Sequence, residues 1–396
     1  MTLPTITQSP TDPAFVQDPY AFYERARALG SLVFWQDYNL PCALSYAAVN
    51  AILRDRRFGR EVPPEKRKDI PNHLAPFYAV EAHSMLELEP PRHPRLRSLV
   101  LRAFTSRRIA ALAPEIVSLS NTLIDVLPNG PFDLMPTFAQ KLPVIIIARL
   151  LGVPEEMAPD LLRWSNAMVS MYQARRTREV EDRAVAATQD FVAFMRGYIE
   201  ERRARPADDL ITHLIAAEEA GEKLSTDELI ATCILLLNAG HEATVHSLGI
   251  AVKTLLETRT PIAALAPDRV EATVEEVLRF DPPLHMFTRH AYEDVEVLGR
   301  MIPKGTEVAC LLAAANRDPS MFEDPTRFAP GRVAKTNLSF GAGLHFCVGA
   351  PLARLELQIA LPILFARLPG LRLKGQPRFG NVYHFHGLEA LNVRRA

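Results

Sequence analysis

Phe340-Gly341-Ala342-Gly343-Leu344-His345-Phe346-Cys347-Val348-Gly349 decides how the rest of the chain is read. One cysteine lies between glycine-bearing turns and beside aromatic residues, and Ala350-Pro351-Leu352-Ala353-Arg354 follows as a helix start. A helix N-terminus offers unpaired backbone N–H groups and the positive end of the helix dipole, and both favour a thiolate. The glycines allow turning and close backbone approach that a Cβ would block. Phe340, Phe346 and Val348 supply an apolar wall to keep water off the sulfur. Two plainer readings compete with a reactive sulfur. A lone cysteine is most often a buried structural one. A phosphate-binding glycine loop is weaker, because Gly341-Ala342-Gly343 lacks a third glycine three residues on.

A soft, singly charged, partly dry sulfur ligand suits a haem iron, where thiolate donation favours O–O cleavage. The pattern Phe-x-x-Gly-x-His-x-Cys-x-Gly resembles the haem-binding loop of the cytochrome P450 family, and the resemblance runs from about Asp18 to Leu391. It implies a mainly α fold with a smaller β region, organised as a single haem domain over residues 1–396 with 1–17 as an N-terminal extension. It also implies haem b (iron protoporphyrin IX) as cofactor, with Cys347 as the metal ligand and Phe340, Gly341, His345 and Gly349 shaping the cofactor loop. The implied reaction is a monooxygenation: O2 is activated to hydroxylate or dealkylate a small organic substrate. Electrons would come from a separate ferredoxin or flavoprotein.

Composition agrees with that class. The chain has 396 residues, 48% hydrophobic and 23% charged, with a net charge of -1, which gives no reason to expect nucleic acid or an anionic membrane as partner. Cys42, Cys233, Cys310 and Cys347 are far apart with no Cys-x-x-Cys pair, which argues against a zinc ribbon or disulfide scaffold and fits a reducing cytoplasm. The first ten residues lack a basic region and an apolar run, so no signal peptide or membrane anchor is expected. A monomer is expected.

Helical periodicity dominates. Pro19 to Arg27 reads as an amphipathic helix opened by Asp18 and Pro19. Leu32 to Trp35 and Pro41 to Leu44 suggest a hairpin. Residues 61–91 read as a long Pro- and charge-rich loop, a length that is usually functional. Helices recur from His93 to Leu151, a charged helix covers Arg175 to Arg205, and a short one covers 206–220. Ser225-Thr226-Asp227-Glu228 is a capping box for the longest apolar helix, to about Leu256. Strand signals cluster at Val295–Leu298, Thr306–Leu312 and Leu388–Val393, and a last helix spans about Gly349 to Leu368.

Glu276-Val277-Leu278-Arg279 puts a carboxylate and a guanidinium on one helix face. Taken alone this is a common surface pair, but the resemblance joins Glu276, Arg279 and Arg332 in a buried structural network. The propionates of haem need cations, and the resemblance assigns His93, Arg97, Arg289 and His345. Asn238-Ala239-Gly240-His241-Glu242-Ala243-Thr244 interrupts the long apolar helix with a glycine and an acid, both costly there. A zinc-protease reading fails, since His241 and His246 are five apart, about 140° around a helix. In the family this stretch crosses the oxygen-binding face: Ala239 and Gly240 make room for O2, an acid follows, then a threonine. Glu242 matches the acid, but Ala243 stands at the alcohol position. Thr244 comes one residue later, rotated by about 100°, so proton delivery would fall to Glu242 with ordered water or a hydroxyl on the substrate.

By position, Met85, Leu86, Met168, Val169, Tyr172, Leu235, Asn238, Leu284, Met286 and Phe287 are expected in the substrate pocket, although Met and aromatic residues at such spacings are more often ordinary core. Arg95, Arg102, Arg107, Arg108 and Arg354 are candidates for docking the electron donor. A peroxide-driven enzyme, which Ala243 favours, and a haem-thiolate carrier without turnover are the alternatives. A carrier has little use for an acid at Glu242.

Overall fold

The computed structural model describes residues 3–173, 176–219, 222–333, 335–383 and 385–395. It is a helical body flanked by a smaller sheet region. The helix Thr226–Glu257 runs through the body, with the Ser225–Glu228 capping box formed in both directions. Its 32 residues span about 48 Å. Leu229, Leu237, Ile234, Ala231, Ile250 and Leu236 are buried and spread around the whole circumference, so it is apolar on nearly every side, as a helix enclosed by others must be. Helices Lys141–Leu151, Ala158–Val169, Arg178–Ala204, Val270–Phe280 and Ala350–Arg367 surround it.

The main sheet has six strands in the order Thr5–Ile6, Leu32–Trp35, Leu40–Ala43, Glu307–Leu311, Met286–Ala291 and Phe58–Gly59. The expected hairpin is present, with Val33 opposite Cys42. Residues 3–17 belong to the body: Thr5–Ile6 pairs parallel with Leu32–Trp35, and Phe15 packs on Phe22 and Trp35.

Several boundaries differ from expectation. The first amphipathic helix is Tyr20–Leu29, after a separate turn of helix at Pro13–Gln17; Asp18 accepts from the Tyr20 N–H. The charged helix begins at Arg178 because Thr177 caps it; Arg175 lies outside the described residues. The short helix after it is Leu210–Ala216, capped by Asp209, and Ala220 is likewise outside the described residues. Leu388–Val393 is not one strand. Leu388–Ala390 pairs with Arg378–Phe379, while Asn392–Arg394 joins a sheet with Arg372–Leu373 and Phe132–Asp133. Residues 61–91 are not a bare loop: Ala75–Glu81 is helical, held by buried Phe77 and Val80.

Candidate active site

A cavity of about 420 Å3 opens between the middle of Thr226–Glu257 and the loop before Ala350–Arg367. Cys347 lies on its wall. Its N–H donates to Phe340 O at 3.0 Å, pinning the two ends of the loop together. Gly343 holds φ +69°, and a Cβ there would sit 2.3 Å from Leu53 O, so both conformation and contact demand glycine. Gly341 does not reach the cavity; it turns the chain at φ +70° against the Phe287 ring. The accessible surface of Cys347 faces the cavity and protein surrounds the rest.

The expectation of a thiolate favoured by the helix start is met only in part. Burial raises the thiol pKa, and the Gly349 and Ala350 N–H groups and the Arg97 and Arg354 charges oppose it without cancelling it. A bound metal, which deprotonates a coordinating thiol, would complete the ionisation. Cys42 and Cys310 are pushed up to about 12 by burial and do not line this cavity.

Cations collect at one end. His93 and Arg97 stand four apart on the helix Arg92–Ala103, and the His93 and His345 rings are 4.3 Å apart. Arg97 donates to Phe346 O at 2.7 Å and Arg289 to Thr288 O at 2.7 Å; neither has a carboxylate within ion-pair distance among the described residues. Burial and the neighbouring Arg60 bring Arg289 down to about 10. Burial, His345 and Arg97 push His93 down to about 4, and its Nδ1 has no hydrogen-bond partner. His345 is held by Glu89 at 2.9 Å, which also accepts the Arg60 N–H. Unpaired guanidiniums and an orphaned ring nitrogen suit a group bearing two carboxylates. With a sulfur on the same cavity wall, the donor set fits haem.

On the opposite wall Ala239, Gly240, Glu242, Ala243 and Thr244 all line the cavity. Gly240 has a further reason to be small: a Cβ would lie 3.2 Å from Ile147, at a helix crossing. Thr244 donates its hydroxyl back to Gly240 O at 3.1 Å, so it is occupied by its own helix. Glu242 lies between His241 Nε2 at 3.4 Å and His246 Nε2 at 3.6 Å. Burial raises its pKa, but the two imidazoles outweigh that and hold it well below the usual carboxylate range. His241 Nδ1 faces Leu237 O at 2.8 Å and must carry a proton, since a carbonyl only accepts. Its Nε2 therefore faces the Glu242 carboxylate without a hydrogen-bond partner.

Met85, Leu86, Val169, Tyr172, Leu235, Asn238, Leu284, Met286 and Phe287 line the cavity as expected. Met168 does not: it is buried behind Asn238, whose Nδ2 is 3.8 Å from the Met168 sulfur. Arg60, Glu81, Ser84 and Phe385 also line it and were not anticipated. Glu276 accepts from Arg279 Nε at 2.7 Å, from Arg332 Nε at 3.1 Å and from the Ala329 N–H at 2.8 Å. Arg279 also donates to Asn316 O and Pro325 O, so this buried triad ties three chain segments together behind the site. Among the docking candidates, Arg95 is paired with Glu228 and Glu222, Arg354 with Glu275 and Arg108 with Asp208; Arg102 and Arg107 have exposed side chains.

The family model described as Cytochrome P450 matches residues 65–266 and 269–369. The cytochrome P450 monooxygenase PikC of Streptomyces venezuelae is 37% identical over 96% of this chain and 92% of its own. The 6-deoxyerythronolide B hydroxylase of Saccharopolyspora erythraea is 40% identical over 84% of this chain and 81% of its own. Among solved structures, P450BioI in complex with acyl carrier protein ligated to hexadec-9Z-enoic acid superposes with a TM-score of 0.90 at 33% identity, covering 97% of this chain and all of that one. The chain belongs to the cytochrome P450 family, and it is a haem-binding monooxygenase acting with O2 on a small molecule. Among the described residues no helix is long and apolar enough to cross a membrane.

Proposed function

We propose that the chain works as one haem domain in which Cys347 is the iron ligand, His93, Arg97, Arg289 and His345 hold the propionates, and Glu242 supplies protons. The observation that carries this reading is the shared cavity wall: a sulfur braced by two backbone amides beside guanidiniums that lack carboxylate partners. When bound, the haem supplies O2 activation and the oxidising equivalent for hydroxylation or dealkylation. The residues do the rest. Phe340 and Val348 keep water from the sulfur. Glu276, Arg279 and Arg332 fix the cysteine side, and Leu284, Met286 and Phe287 bound the substrate. Glu242, ionised between His241 and His246, relays protons that arrive through water or a substrate hydroxyl where Ala243 offers none.

The electron donor is a ferredoxin or flavoprotein, docking on the cysteine side through Arg102 and Arg107. The enzyme acts as a cytoplasmic monomer. Ala243 also favours a peroxide-driven reaction, which delivers oxygen already reduced and needs fewer proton transfers. Turnover with a ferredoxin system against turnover with hydrogen peroxide separates the two. With the ferredoxin system, Glu242→Gln lowers turnover by about 10^2-fold or more while substrate affinity is kept. Unchanged turnover removes Glu242 from the proton path.

A further inference from the structure

The roof of the cavity carries a charge that the oxygen chemistry does not use. Glu81, the last residue of Ala75–Glu81, lines the cavity beside Tyr172, whose phenol donates to its Oε2 at 3.0 Å. Among the described residues no cation lies within ion-pair distance of Glu81. The Arg60 guanidinium, whose charge reaches Glu81, is committed elsewhere: its Nη2 donates to Glu87 Oε1 at 2.7 Å. Two carboxylates thus face one guanidinium in this corner. The surrounding wall is apolar, with Val80, Met85, Val169 and Leu235. Glu81 is half-buried and Tyr172 is 38% exposed, so this carboxylate is open to an incoming partner, and a few placed polar groups are what orient a ligand in an apolar cavity. Burial, with the nearby Glu87, moves Glu81 up to about 7. Asn238 Oδ1, which has no hydrogen-bond partner, adds a second acceptor on the facing helix.

We propose that Glu81 and Tyr172 form a cation-recognising subsite, so that the enzyme's substrates carry a basic amine or a quaternary ammonium group remote from the carbon oxidised. An anionic head group meets Glu81 and Glu87 and is rejected; a neutral one leaves the carboxylate unpaired. The proposal rests on the haem-thiolate reading, because only a substrate seated near the iron reports through it.

The test uses the holoenzyme and the spin-state change of its haem absorption. Decyltrimethylammonium has no lone pair and so does not ligate iron itself. It is expected to bind roughly tenfold tighter than 1-decanol, with decanoate weakest. Glu81→Gln equalises decyltrimethylammonium and 1-decanol. In the wild type, cation affinity rises as pH passes upward through about 7, because Glu81 ionises there. Arg60 and Tyr172, both shifted upward, hold their protons across that window, and Glu87 is the other carboxylate facing the group. In Glu81→Gln the profile is flat. Equal affinity for the cation and the alcohol, or a preference that survives Glu81→Gln, overturns the proposal when the carbon-monoxide spectrum is that of a thiolate. A holoenzyme without that spectrum removes the haem-thiolate reading and the proposal with it.

Discussion

The two ends of the cavity are built on different principles. Behind the cysteine the structural groups are each held by several partners: Glu276 accepts from two guanidiniums and a backbone N–H, Arg279 reaches two carbonyls, and Gly343 fits a space with no room for a methyl. On the roof side a seven-residue helix is held by few buried contacts, and Glu81 waits on one phenol. The first arrangement fixes a geometry that the chemistry needs unchanged. The second leaves a surface that can vary with the ligand.

Substitutions measure that difference directly. Glu276→Ala leaves the buried Arg279 and the half-buried Arg332 without their carboxylate and is expected to cost roughly 3–5 kcal/mol, read as a lowered urea midpoint and loss of bound haem. A midpoint within error of wild type breaks the claim that this side is rigidly determined. Gly343→Ala forces a left-handed residue against Leu53 O and is expected to cost about 2 kcal/mol or more. Gly375→Ala, at φ +84° with nothing within 4 Å, isolates the conformational part and costs about 1–2 kcal/mol.

Acid acts between the two ends, behind the wall where Leu284 bridges Phe385. Burial lowers His285, and burial with His285 lowers His386, so both are neutral in the fold while Asp281 stays charged below the usual carboxylate range. The unfolded chain takes up these two protons first, below about pH 6.5. Stability is therefore present above that value and lost as pH falls beneath it, giving a lower urea midpoint at pH 5.5 than at pH 7.5. A drop of the same size in a His285→Phe, His386→Phe variant contradicts its assignment to these two rings. The smallest effect belongs to the roof: Leu86→Ala is expected to change stability by less than about 1 kcal/mol while shifting ligand affinities. A large stability loss there would erase the contrast.

What was legible in the sequence follows the same division. The cysteine loop, the Glu-x-x-Arg pair and the capping box are local patterns whose chemistry does not depend on how distant segments meet, and each appears where its spacing put it. Arg60, Glu81 and Phe385 carry no such pattern; they reach the cavity because segments far apart in sequence converge there. Glu81 was hidden by prolines and charges that masked a short helix, although Phe77 and Val80, three apart, mark its buried face. Met168 was misread because helical spacing gives a face but not a depth. Gly240 was read as space for a ligand, and it also serves a helix crossing that only the packed chain reveals.

The account depends most on the sulfur of Cys347 as axial ligand, and the reduced carbon-monoxide difference spectrum of wild type and Cys347→His tests it. A strongly red-shifted Soret band in wild type, lost in Cys347→His with haem still bound, is the expected result. The same thiolate band in both proteins, or its absence from wild type, contradicts it.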